Sequence, residues 1–367
     1  MGEIILDGHK LAWHRDRLQA WNAGERVAPI TIDCALTRAC TYRCVYCYGQ
    51  LQANDEKKMT RDVIFRFLDD AAEIGVKAVS FVSDGESTAS PHVYDAILRG
   101  RENGLDMALG TNGYLLKDER LEDILPALTY LRFNISAAEP RRYAQIHGCA
   151  ESCYHKVLET VCRAVRIKRE NNLPVTLGLQ MVLLPRFADQ VLPLARLGGE
   201  LGVDYTVIKH CSDDENHTLG VKYDEYFSLE GLLKQAEALS TPEHLVAAKW
   251  SKIMSSGKRE YSRCYGPALI MQFSGSGLVA PCGMLFNSRY KKYHMGNIAE
   301  QSFKDIWKSD RYREVLDLLA SDKFDARTMC GSLCLQHKVN ECLWAIKQEN
   351  APLPEPSEEE PMHVNFI

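Results

Sequence analysis

Three cysteines, Cys40, Cys44 and Cys47, lie close together in the run CTYRCVYC, directly after an apolar, strand-like stretch. Thiolates at this C-x3-C-x2-C spacing can ligate three irons of a cubane iron–sulfur cluster, which leaves one iron without a protein ligand. An open iron can bind a substrate or cofactor, whereas a fully ligated cluster can only transfer electrons or support structure. Structural zinc requires a complete set of four ligands, and a disulfide would leave one of these thiols unpaired. The spacing therefore favours an open cluster over zinc or unligated thiols.

A second set of cysteines occurs in the last third of the chain. Cys264 and Cys282 flank a predicted hairpin with a Gly-Ser-Gly turn, which can bring both cysteines to the same end. Cys330 and Cys334 follow in the run MCGSLC. Four thiolates form a closed tetrahedral set, which suits either a second [4Fe-4S] cluster or structural zinc. Cys342 is a further candidate ligand, although it has no cysteine close to it in sequence.

Six apolar, strand-like segments alternate with helical patterns before these later cysteines. The segments are residues 29–36, 78–82, 107–109, 130–135, 175–184 and 205–208. Such alternation predicts parallel βαβ units with right-handed crossovers. The spacing alone fits either an open, doubly wound sheet or a partial barrel. Both architectures place the active site at the carboxyl ends of the strands, where the first cysteine loop must lie because it follows the first strand.

The first cysteine motif resembles that of the radical SAM superfamily, in which C-x3-C-x2-C holds a [4Fe-4S] cluster. In that family the open iron binds the amino and carboxylate groups of S-adenosylmethionine. Reduction then releases a 5′-deoxyadenosyl radical, which takes a hydrogen atom from an unreactive C–H bond. Tyr46 stands just before the third cysteine, where the family has an aromatic residue and where we expect a cofactor contact. The resemblance implies an α/β fold with a partial (β/α)6 TIM-like barrel.

The resemblance also indicates a loop that holds the cofactor. Gly85 and Glu86 match the last Gly and the Glu of the family's G-G-E-P motif, which takes the methionine amino group. A carboxylate beside an ammonium makes a charge-assisted bond. Asp84 and Ser87 depart from the first Gly and the Pro of the motif. The alternative interpretation of this run is a D-G turn with a solvated glutamate.

Two later positions are also expected at the cofactor because relatives place similar residues there. Asn112 belongs to a T-N-G run after the third strand, although a plain turn Asn is the alternative. Ser136 ends the fourth strand, where relatives have a Ser that meets the ribose or carboxylate. Arg141 or Arg142 is a candidate to reach the cofactor carboxylate, with solvated arginines as the alternative. Weaker candidates, chosen by position alone, are His147, Gln180, Lys209 and His210.

The C-terminal region resembles the SPASM and twitch extensions of radical SAM enzymes. These extensions contain a cysteine, a hairpin with G-x4-C (here Gly277 to Cys282), a G-N-I-x-E stretch (here Gly296 to Glu300) and a final cysteine group. In the family they bind auxiliary [4Fe-4S] clusters. The longer SPASM form binds two clusters and needs more cysteines than this region offers. The resemblance therefore favours a twitch-type extension with one auxiliary [4Fe-4S] cluster.

The predicted organisation has five parts. They are an N-terminal segment at 1–28, a radical SAM partial barrel at 29–211, a polar, mostly helical bridge at 212–263, an auxiliary-cluster domain at 264–345, and an acidic, Pro-rich tail at 351–367. We expect the tail to remain unpacked, because its Pro and Glu residues cannot bury much apolar surface.

The overall composition of the chain restricts the cellular compartment and the classes of binding partner that we expect. The 367 residues include 44 basic and 49 acidic side chains, which give a net charge of −5. This balance gives no reason to expect a nucleic-acid partner. We predict a cytoplasmic protein without a membrane partner, since the chain lacks a signal-peptide core and any apolar run of membrane-spanning length. The 13 cysteines, without a secretion signal, fit a reducing compartment.

These features predict a radical SAM oxidoreductase that acts on a small polar substrate, such as a sugar or sugar nucleotide. An auxiliary cluster near the substrate can accept the electron released when a carbinol radical becomes a carbonyl, which favours dehydrogenase-like net oxidation. The resemblance implies an external electron donor such as flavodoxin or ferredoxin. One alternative is a sugar epimerase in which Cys211, just past the sixth strand, donates hydrogen. Others are a peptide maturase, which the short N-terminal segment disfavours, and a zinc-binding α/β protein without enzyme activity.

Overall fold

The computed structural model describes residues 3–55, 57–331 and 334–367. Within these ranges it has a ten-stranded sheet. The strands are β1 (Thr31–Cys34), β2 (Ala78–Phe81), β3 (Asp106–Thr111), β4 (Leu128–Asn134), β5 (Thr176–Leu183), β6 (Tyr205–His210), β7 (Leu245–Ala248), β8 (Ile270–Phe273), β9 (Leu278–Ala280) and β10 (Gly296–Asn297).

The spatial order of the strands is β10-β9-β8-β1-β2-β3-β4-β5-β6-β7. All neighbouring strands from β8 to β7 pair in parallel, whereas β9 pairs antiparallel with both β8 and β10. The six predicted parallel strands are therefore confirmed as β1 to β6. The sheet curves around a cavity whose wall includes residues of β1, β4, β5, β6 and β8, which confirms the partial barrel.

Helices connect the parallel strands, as βαβ units require. The α-helices of the described residues are α1 (Arg15–Asn22), α2 (Arg61–Ile74), α3 (Val93–Glu102), α4 (Asp118–Ile124), α5 (Pro140–His147), α6 (Ser152–Glu170), α7 (Val191–Leu201), α8 (Glu230–Glu237), α9 (Trp250–Met254), α10 (Phe303–Lys308), α11 (Asp310–Ala320) and α12 (His337–Gln348). Of these, α2 to α9 lie between successive parallel strands, α1 precedes β1, and α10 to α12 follow β10. The residues that flank α2 account for its ends. Thr60 caps it by accepting a hydrogen bond from Val63 N, and Gly75 ends it in the left-handed region with φ of 97°.

Alternation along the strands separates the main apolar core from the cavity. In β4, Tyr130, Arg132 and Asn134 line the cavity, whereas Leu131 and Phe133 are fully buried in the core on the other face. A strand presents successive side chains to opposite faces, so this arrangement follows from the period of two residues. The barrel interior is therefore largely polar, and the apolar core lies between the sheet and the surrounding helices.

The segment predicted as a mostly helical bridge, residues 212–263, contains more sheet than the sequence indicated. It includes α8 and α9, but Leu245–Ala248 forms β7 and pairs in parallel with β6. This strand extends the parallel sheet beyond the six predicted strands. Its four residues, LVAA, give too short an apolar run for periodicity to distinguish a strand from a helix.

The prediction that the C-terminal tail is unpacked is wrong for its last residues. Phe366 is 8% exposed, and its ring centroid lies 4.9 Å from that of Tyr130. Thr31 Oγ1 donates to Asn365 O at 2.7 Å, and Lys10 Nζ donates to Phe366 O at 2.6 Å. Residues 355–360 are exposed, as predicted. The Pro- and Glu-rich stretch thus leads to an apolar end that covers the amino end of the barrel.

Among the described residues, no helix combines the length and apolar character needed to span a membrane.

Candidate active site

The cysteine loop, which follows the carboxyl end of β1, opens onto one cavity that extends through the barrel towards the amino ends of the strands. Cys40, Cys44 and Cys47 all line this cavity, whose volume is about 440 Å³, and all three are free thiols. Arg132 of β4 and Lys209 of β6 line the same cavity. Cavities of roughly 300–1,000 Å³ are typical of small-molecule sites. The structure therefore brings the three predicted ligands together beside a space suited to a small molecule.

Two glycines fix the segment that leads into the cysteine loop. A Cβ atom on Gly85 would lie 2.0 Å from Thr37 O, and a Cβ atom on Gly275 would lie 2.1 Å from Thr37 C. A side chain at either position would force the backbone to move. Next to this contact, Glu86 N donates to Ala39 O at 3.0 Å. Gly85 thus lines the cavity, as predicted for a cofactor-binding residue, and also lets the second-strand loop approach the cysteine loop.

His147, the last residue of α5, contacts the cysteine loop from another side. Ser136 N donates to its Nε2 at 3.1 Å, so the proton of the neutral ring lies on Nδ1. Burial lowers the pKa of His147 to about 3, which keeps the ring neutral near pH 7. Its Nδ1 lies 3.3 Å from Cys44 Sγ and 3.4 Å from Tyr46 Oη. The ring therefore donates toward the Cys44 sulfur and orients the loop.

Glu86 links the loops that follow β2 and β3. Its Oε1 accepts from Thr88 N at 3.0 Å, Thr88 Oγ1 at 2.7 Å and Thr111 Oγ1 at 2.8 Å. Its Oε2 accepts from Asn112 N at 2.7 Å. The side chain lines the cavity although the residue is 4% exposed. These bonds argue against the solvated turn glutamate, and they leave room on Oε2 for one further donor.

Asn112 and Tyr46 both lie on the cavity wall, where the sequence placed them. Asn112 Nδ2 is 3.8 Å from Cys40 Sγ and 3.4 Å from Thr41 Oγ1, and Asn112 Oδ1 accepts from Tyr114 N at 3.0 Å. Asn112 therefore makes the local turn bond of the alternative interpretation and also contacts the first cysteine of the motif.

Ser136 and Cys211 do not line the cavity. Ser136 is fully buried, and its Oγ accepts from Val182 N at 3.1 Å and donates to Tyr46 Oη at 3.4 Å. Cys211 is also fully buried; its thiol lies 3.4 Å from Ser212 O and 3.7 Å from Tyr46 O. Burial raises the pKa of Cys211 to about 12. The structure thus assigns both side chains to packing around Tyr46, and Cys211 does not face the cavity as a hydrogen donor must.

The four cysteines of the second set lie close to one another. All are free thiols of intermediate exposure. Burial raises the pKa of Cys264, and the nearby Cys334, Cys282 and Cys330 raise it further. Cys342 packs instead in a separate apolar cluster with α1 and the end of α12. The structure therefore groups the four predicted auxiliary ligands and places Cys342 apart from them.

The auxiliary cysteines are adjacent to the cavity through their chain neighbours. Gly283 and Leu335, which follow Cys282 and Cys334, line the cavity. Gln272 joins the two regions, because Gly283 N donates to its Oε1 and its Nε2 donates to Asp33 Oδ2 at 3.0 Å. A group bound by these cysteines would therefore lie next to whatever occupies the cavity.

Asp84, which the sequence marked only as a departure from the family motif, connects the two cysteine regions. It is 7% exposed, and it accepts from Ser274 Oγ at 2.6 Å and Gly275 N at 2.9 Å in the β8–β9 turn. It also pairs with Arg38 at 3.4 Å. A glycine could make none of these side-chain contacts. The presence of Asp where the family motif has Gly indicated that this position is unusual. Its contacts could not be inferred from the sequence, because they come from a distant hairpin.

A cationic part of the cavity wall was not predicted from the sequence. Arg132, Lys249 and Lys252 line it together with Lys209, which had been chosen by position alone. The alternation of Tyr130, Arg132 and Asn134 in β4 could have indicated an inward-facing arginine. Lys249 and Lys252 lie after β7, a strand that the sequence did not predict, so their position could not be inferred.

Within residues 3–55, 57–331 and 334–367, no three His, Cys, Asp or Glu side chains are arranged to bind a single metal ion. The thiolates of a cubane each bind a different iron, so they need not converge on one point.

Two protein-family models match the chain. The Radical SAM superfamily model matches residues 35–197, and the SPASM iron–sulfur cluster-binding domain model matches residues 264–335. The first match contains the C-x3-C-x2-C motif and the Glu86 loop, and the second contains all four auxiliary cysteines.

Two curated proteins resemble nearly the whole chain. The AdoMet-dependent heme synthase of Methanosarcina barkeri is 25% identical over 355 residues, covering 91% of this chain and 96% of that protein. The tungsten-containing aldehyde ferredoxin oxidoreductase cofactor-modifying protein of Pyrococcus furiosus is 22% identical over 349 residues, covering 87% of this chain and 96% of that protein.

Solved structures share the fold at low identity. Streptococcus suis SuiB bound to S-adenosylmethionine superposes with a TM-score of 0.63 and 14% identity, covering 83% of this chain and 72% of SuiB. Native anSMEcpe with bound AdoMet superposes with a TM-score of 0.60 and 14% identity, covering 87% of this chain and 97% of that protein.

Proposed function

Since the chain is a radical SAM enzyme with a C-terminal SPASM domain, we propose that it oxidises a C–H bond of a small polar molecule held in the barrel cavity. The observation that carries this proposal is that the cysteine loop and the neighbours of the auxiliary cysteines open onto the same cavity. One space can therefore place a substrate between the site where a hydrogen atom is removed and a site that accepts an electron.

The residues present fit the cofactors of this family, S-adenosylmethionine and [4Fe-4S] clusters. Three free thiols lie on one edge of the cavity, and four more are grouped behind it. We assign Cys40, Cys44 and Cys47 to the first cluster, and Cys264, Cys282, Cys330 and Cys334 to one auxiliary cluster. When bound, these groups supply a 5′-deoxyadenosyl radical that takes a hydrogen atom, and an acceptor for one electron.

The side chains around the cavity have defined parts in this proposal. Glu86 is held by Thr88, Thr111 and Asn112, with room on Oε2 for the methionine ammonium. His147 orients the cysteine loop through Cys44. After hydrogen-atom removal, a carbinol radical must lose one proton and one electron to become a carbonyl. Asp33 lines the cavity, and because burial raises the pKa of its carboxyl, it is the wall residue best suited to accept that proton.

The curated relatives support chemistry on a small molecule. One is named a heme synthase and the other a cofactor-modifying protein, and both align along nearly their whole length with this chain. A peptide maturase remains the second candidate because SuiB, which has the same fold, has been solved with a precursor peptide. The epimerase has less support, because the thiol of Cys211 is buried away from the cavity. We expect an external electron donor such as flavodoxin or ferredoxin to reduce the first cluster.

The test is an anaerobic assay with dithionite and S-adenosylmethionine. Wild-type protein should form 5′-deoxyadenosine, and replacing Cys40, Cys44 or Cys47 by Ala should abolish it. Replacing Cys282 by Ala should stop substrate turnover while cofactor cleavage continues. Cys162→Ala is the matched control, since that thiol is exposed. Deuterium transfer from a metabolite pool into 5′-deoxyadenosine identifies the substrate.

Two outcomes would contradict the proposal. Formation of 5′-deoxyadenosine by Cys44→Ala protein at the wild-type rate would remove the first cluster from the mechanism. Full substrate turnover by Cys282→Ala protein would remove the auxiliary cluster from the oxidation. Unchanged turnover in Cys211→Ala protein is expected, and loss of turnover there would instead favour epimerisation.

A further inference from the structure

The cavity wall carries more positive charge than its own carboxylates balance. Arg132 comes from β4, Lys209 from β6, and Lys249 and Lys252 from the segment after β7, and all four line the cavity. The chain as a whole has a net charge of −5. The charge of the cations grouped on this part of the cavity wall is therefore opposite in sign to the net charge of the protein.

The carboxylates that line the cavity are already engaged. Glu86 accepts hydrogen bonds from the second- and third-strand loops. Asp84 is bound by the β8–β9 turn and pairs with Arg38. Asp33 accepts from Gln272 at 3.0 Å and lies close enough to Lys209 to affect its pKa. Asp7 lies near Lys249 and Lys252, but it accepts hydrogen bonds from Ser251 N and Oγ. Asp33 and Asp7 together carry fewer charges than the four cations of the wall.

Several polar groups on this wall have no partner. Within the described ranges, the side-chain ammonium groups of Lys209 and Lys249 form no hydrogen bond or ion pair, and the Nε of Arg132 is buried without a hydrogen-bond partner. Lys252 reaches only a backbone oxygen, that of Leu335, at 3.3 Å. His210 is 1% exposed and lines the cavity, yet in the described part of the chain neither of its ring nitrogens has a hydrogen-bond partner.

Arg132, Lys209, Lys249 and Lys252 are half-buried on the cavity wall, and cations that lose part of their hydration without gaining a partner destabilise a fold. Removing an ammonium from water costs several kcal/mol even after relaxation of the protein. The pKa of Lys209 is lowered to about 7 by burial and then by Arg132 and Lys252. Burial also lowers the pKa of Lys249, and its cationic neighbours lower it further. An anion in the cavity would reverse both effects, because it would pair with the ammonium groups and satisfy their donors.

The methionine carboxylate of S-adenosylmethionine carries too little negative charge to compensate the four cations of this wall. It carries one negative charge and can pair with one or two of these side chains. The cationic wall spans three structural segments, β4, β6 and the chain after β7. A ligand that engages all of them must present more than one anionic group.

We propose that the cavity binds an organic polyanion, with two or more carboxylate or phosphate groups, through Arg132, Lys209 and Lys249. Lys252 and the ring of His210 lie beside these groups and complete the anion site. The inference rests on the proposed function in one respect, since it makes this polyanion the molecule whose C–H bond is attacked. It also narrows the predicted small polar substrate to an acidic one, which excludes a neutral sugar and retains a sugar nucleotide.

The test measures binding by calorimetry on the full-length, anaerobically reconstituted protein, without reductant and without turnover. The probes are inorganic pyrophosphate, citrate and the neutral polyol glucose, with S-adenosylmethionine titrated separately. Variants are Lys209→Gln, Lys249→Gln and the matched control Lys222→Gln, whose side chain is 72% exposed. Because no catalysis is required, binding can succeed where the oxidation proposal fails, and the reverse also holds.

We expect saturable binding of at least one anion and none of glucose. Preferential binding of pyrophosphate identifies phosphate groups, and preferential binding of citrate identifies carboxylates. Lys209→Gln and Lys249→Gln should each weaken anion binding at least about tenfold, the loss expected for one charged contact, while Lys222→Gln leaves it unchanged. The proposal is overturned if no anion binds, or if these variants weaken only S-adenosylmethionine, because the cations would then serve the cofactor.

A second measurement covers the case of a variant that fails to fold. If the lysines are uncompensated until a ligand binds, Lys209→Met and Lys249→Met should melt at the same or a higher temperature than the wild type, because an unpaired, half-buried charge is removed. Added pyrophosphate or citrate should raise the melting temperature of the wild type but not of these variants. A large fall in the melting temperature of both variants would show that the lysines stabilise the ligand-free fold, and would contradict the proposal.

Discussion

The contacts of Asp84 predict that its replacement by Ala destabilises the protein strongly. The carboxylate accepts from Ser274 Oγ at 2.6 Å and Gly275 N at 2.9 Å, and it pairs with Arg38 at 3.4 Å. Hydrogen bonds to a charged group contribute roughly 1.5–3 kcal/mol each, and breaking a buried ion pair costs roughly 3–5 kcal/mol. Burial raises the pKa of Asp84, because removing the carboxylate from water costs free energy that offsets part of the stabilisation from these contacts. We expect a loss of about 3 kcal/mol in the free energy of unfolding, at the low end of that range.

The chain offers a matched control in an exposed ion pair. Arg99 Nε lies 2.8 Å from Asp69 Oδ1, which is shorter than the 3.4 Å between Arg38 and Asp84. The Asp69 side chain, however, is 44% exposed. Exposed pairs contribute about 1 kcal/mol or less, so Asp69→Ala should have a small effect despite its better distance. Asp84→Asn keeps acceptor oxygen but loses the charge, and it should fall between the two.

The assay is thermal denaturation of the anaerobic protein, with all variants measured at one concentration and one cofactor loading. Asp84→Ala should melt well below Asp69→Ala, and Asp84→Asn should lie between them. If Asp84→Ala and Asp69→Ala melt together, burial does not strengthen the contacts between the Glu86 loop and the β8–β9 turn, and the reasoning is refuted.

Three further outcomes follow from other parts of the chain. Phe366→Ala should cost about 2–3 kcal/mol in thermal denaturation, since large-to-small changes of buried aromatics cost roughly this or more, while Glu359→Ala on the exposed part of the tail should change nothing. Burial lowers the pKa of His363 to about 4. Between about pH 6.5 and 4 the unfolded chain therefore binds more protons than the folded chain, so the free energy of unfolding should fall as the pH falls through that window. The fall should be less steep in His363→Asn protein. Gly85→Ala places a Cβ atom 2.0 Å from a backbone oxygen next to the cysteine loop, so it should lower the iron content of the purified protein, and a wild-type iron content would show that the loop adapts.

The residues to which we assign chemistry could be predicted from sequence where they occur in local motifs. The three cysteines of the first loop and the Gly85–Glu86 pair are close in sequence, and short backbone segments place them on one edge of the sheet. The six parallel strands were also predictable, because alternation of apolar segments with helical patterns allows few topologies. Even the four auxiliary cysteines followed from a hairpin and a short C-x3-C run.

The tertiary structure decided what surrounds these residues. Arg132, Lys209 and Lys249 are distant in sequence, and only the curvature of the sheet brings them to one wall. Asp84 gains its partners from a hairpin 190 residues later, and Cys211 turns from the cavity because its thiol packs beside the backbone of Tyr46. Local patterns reflect backbone preference and burial of one face. Charge balance inside a cavity depends on contacts between segments that the chain order does not specify, so it could be determined only from the folded structure.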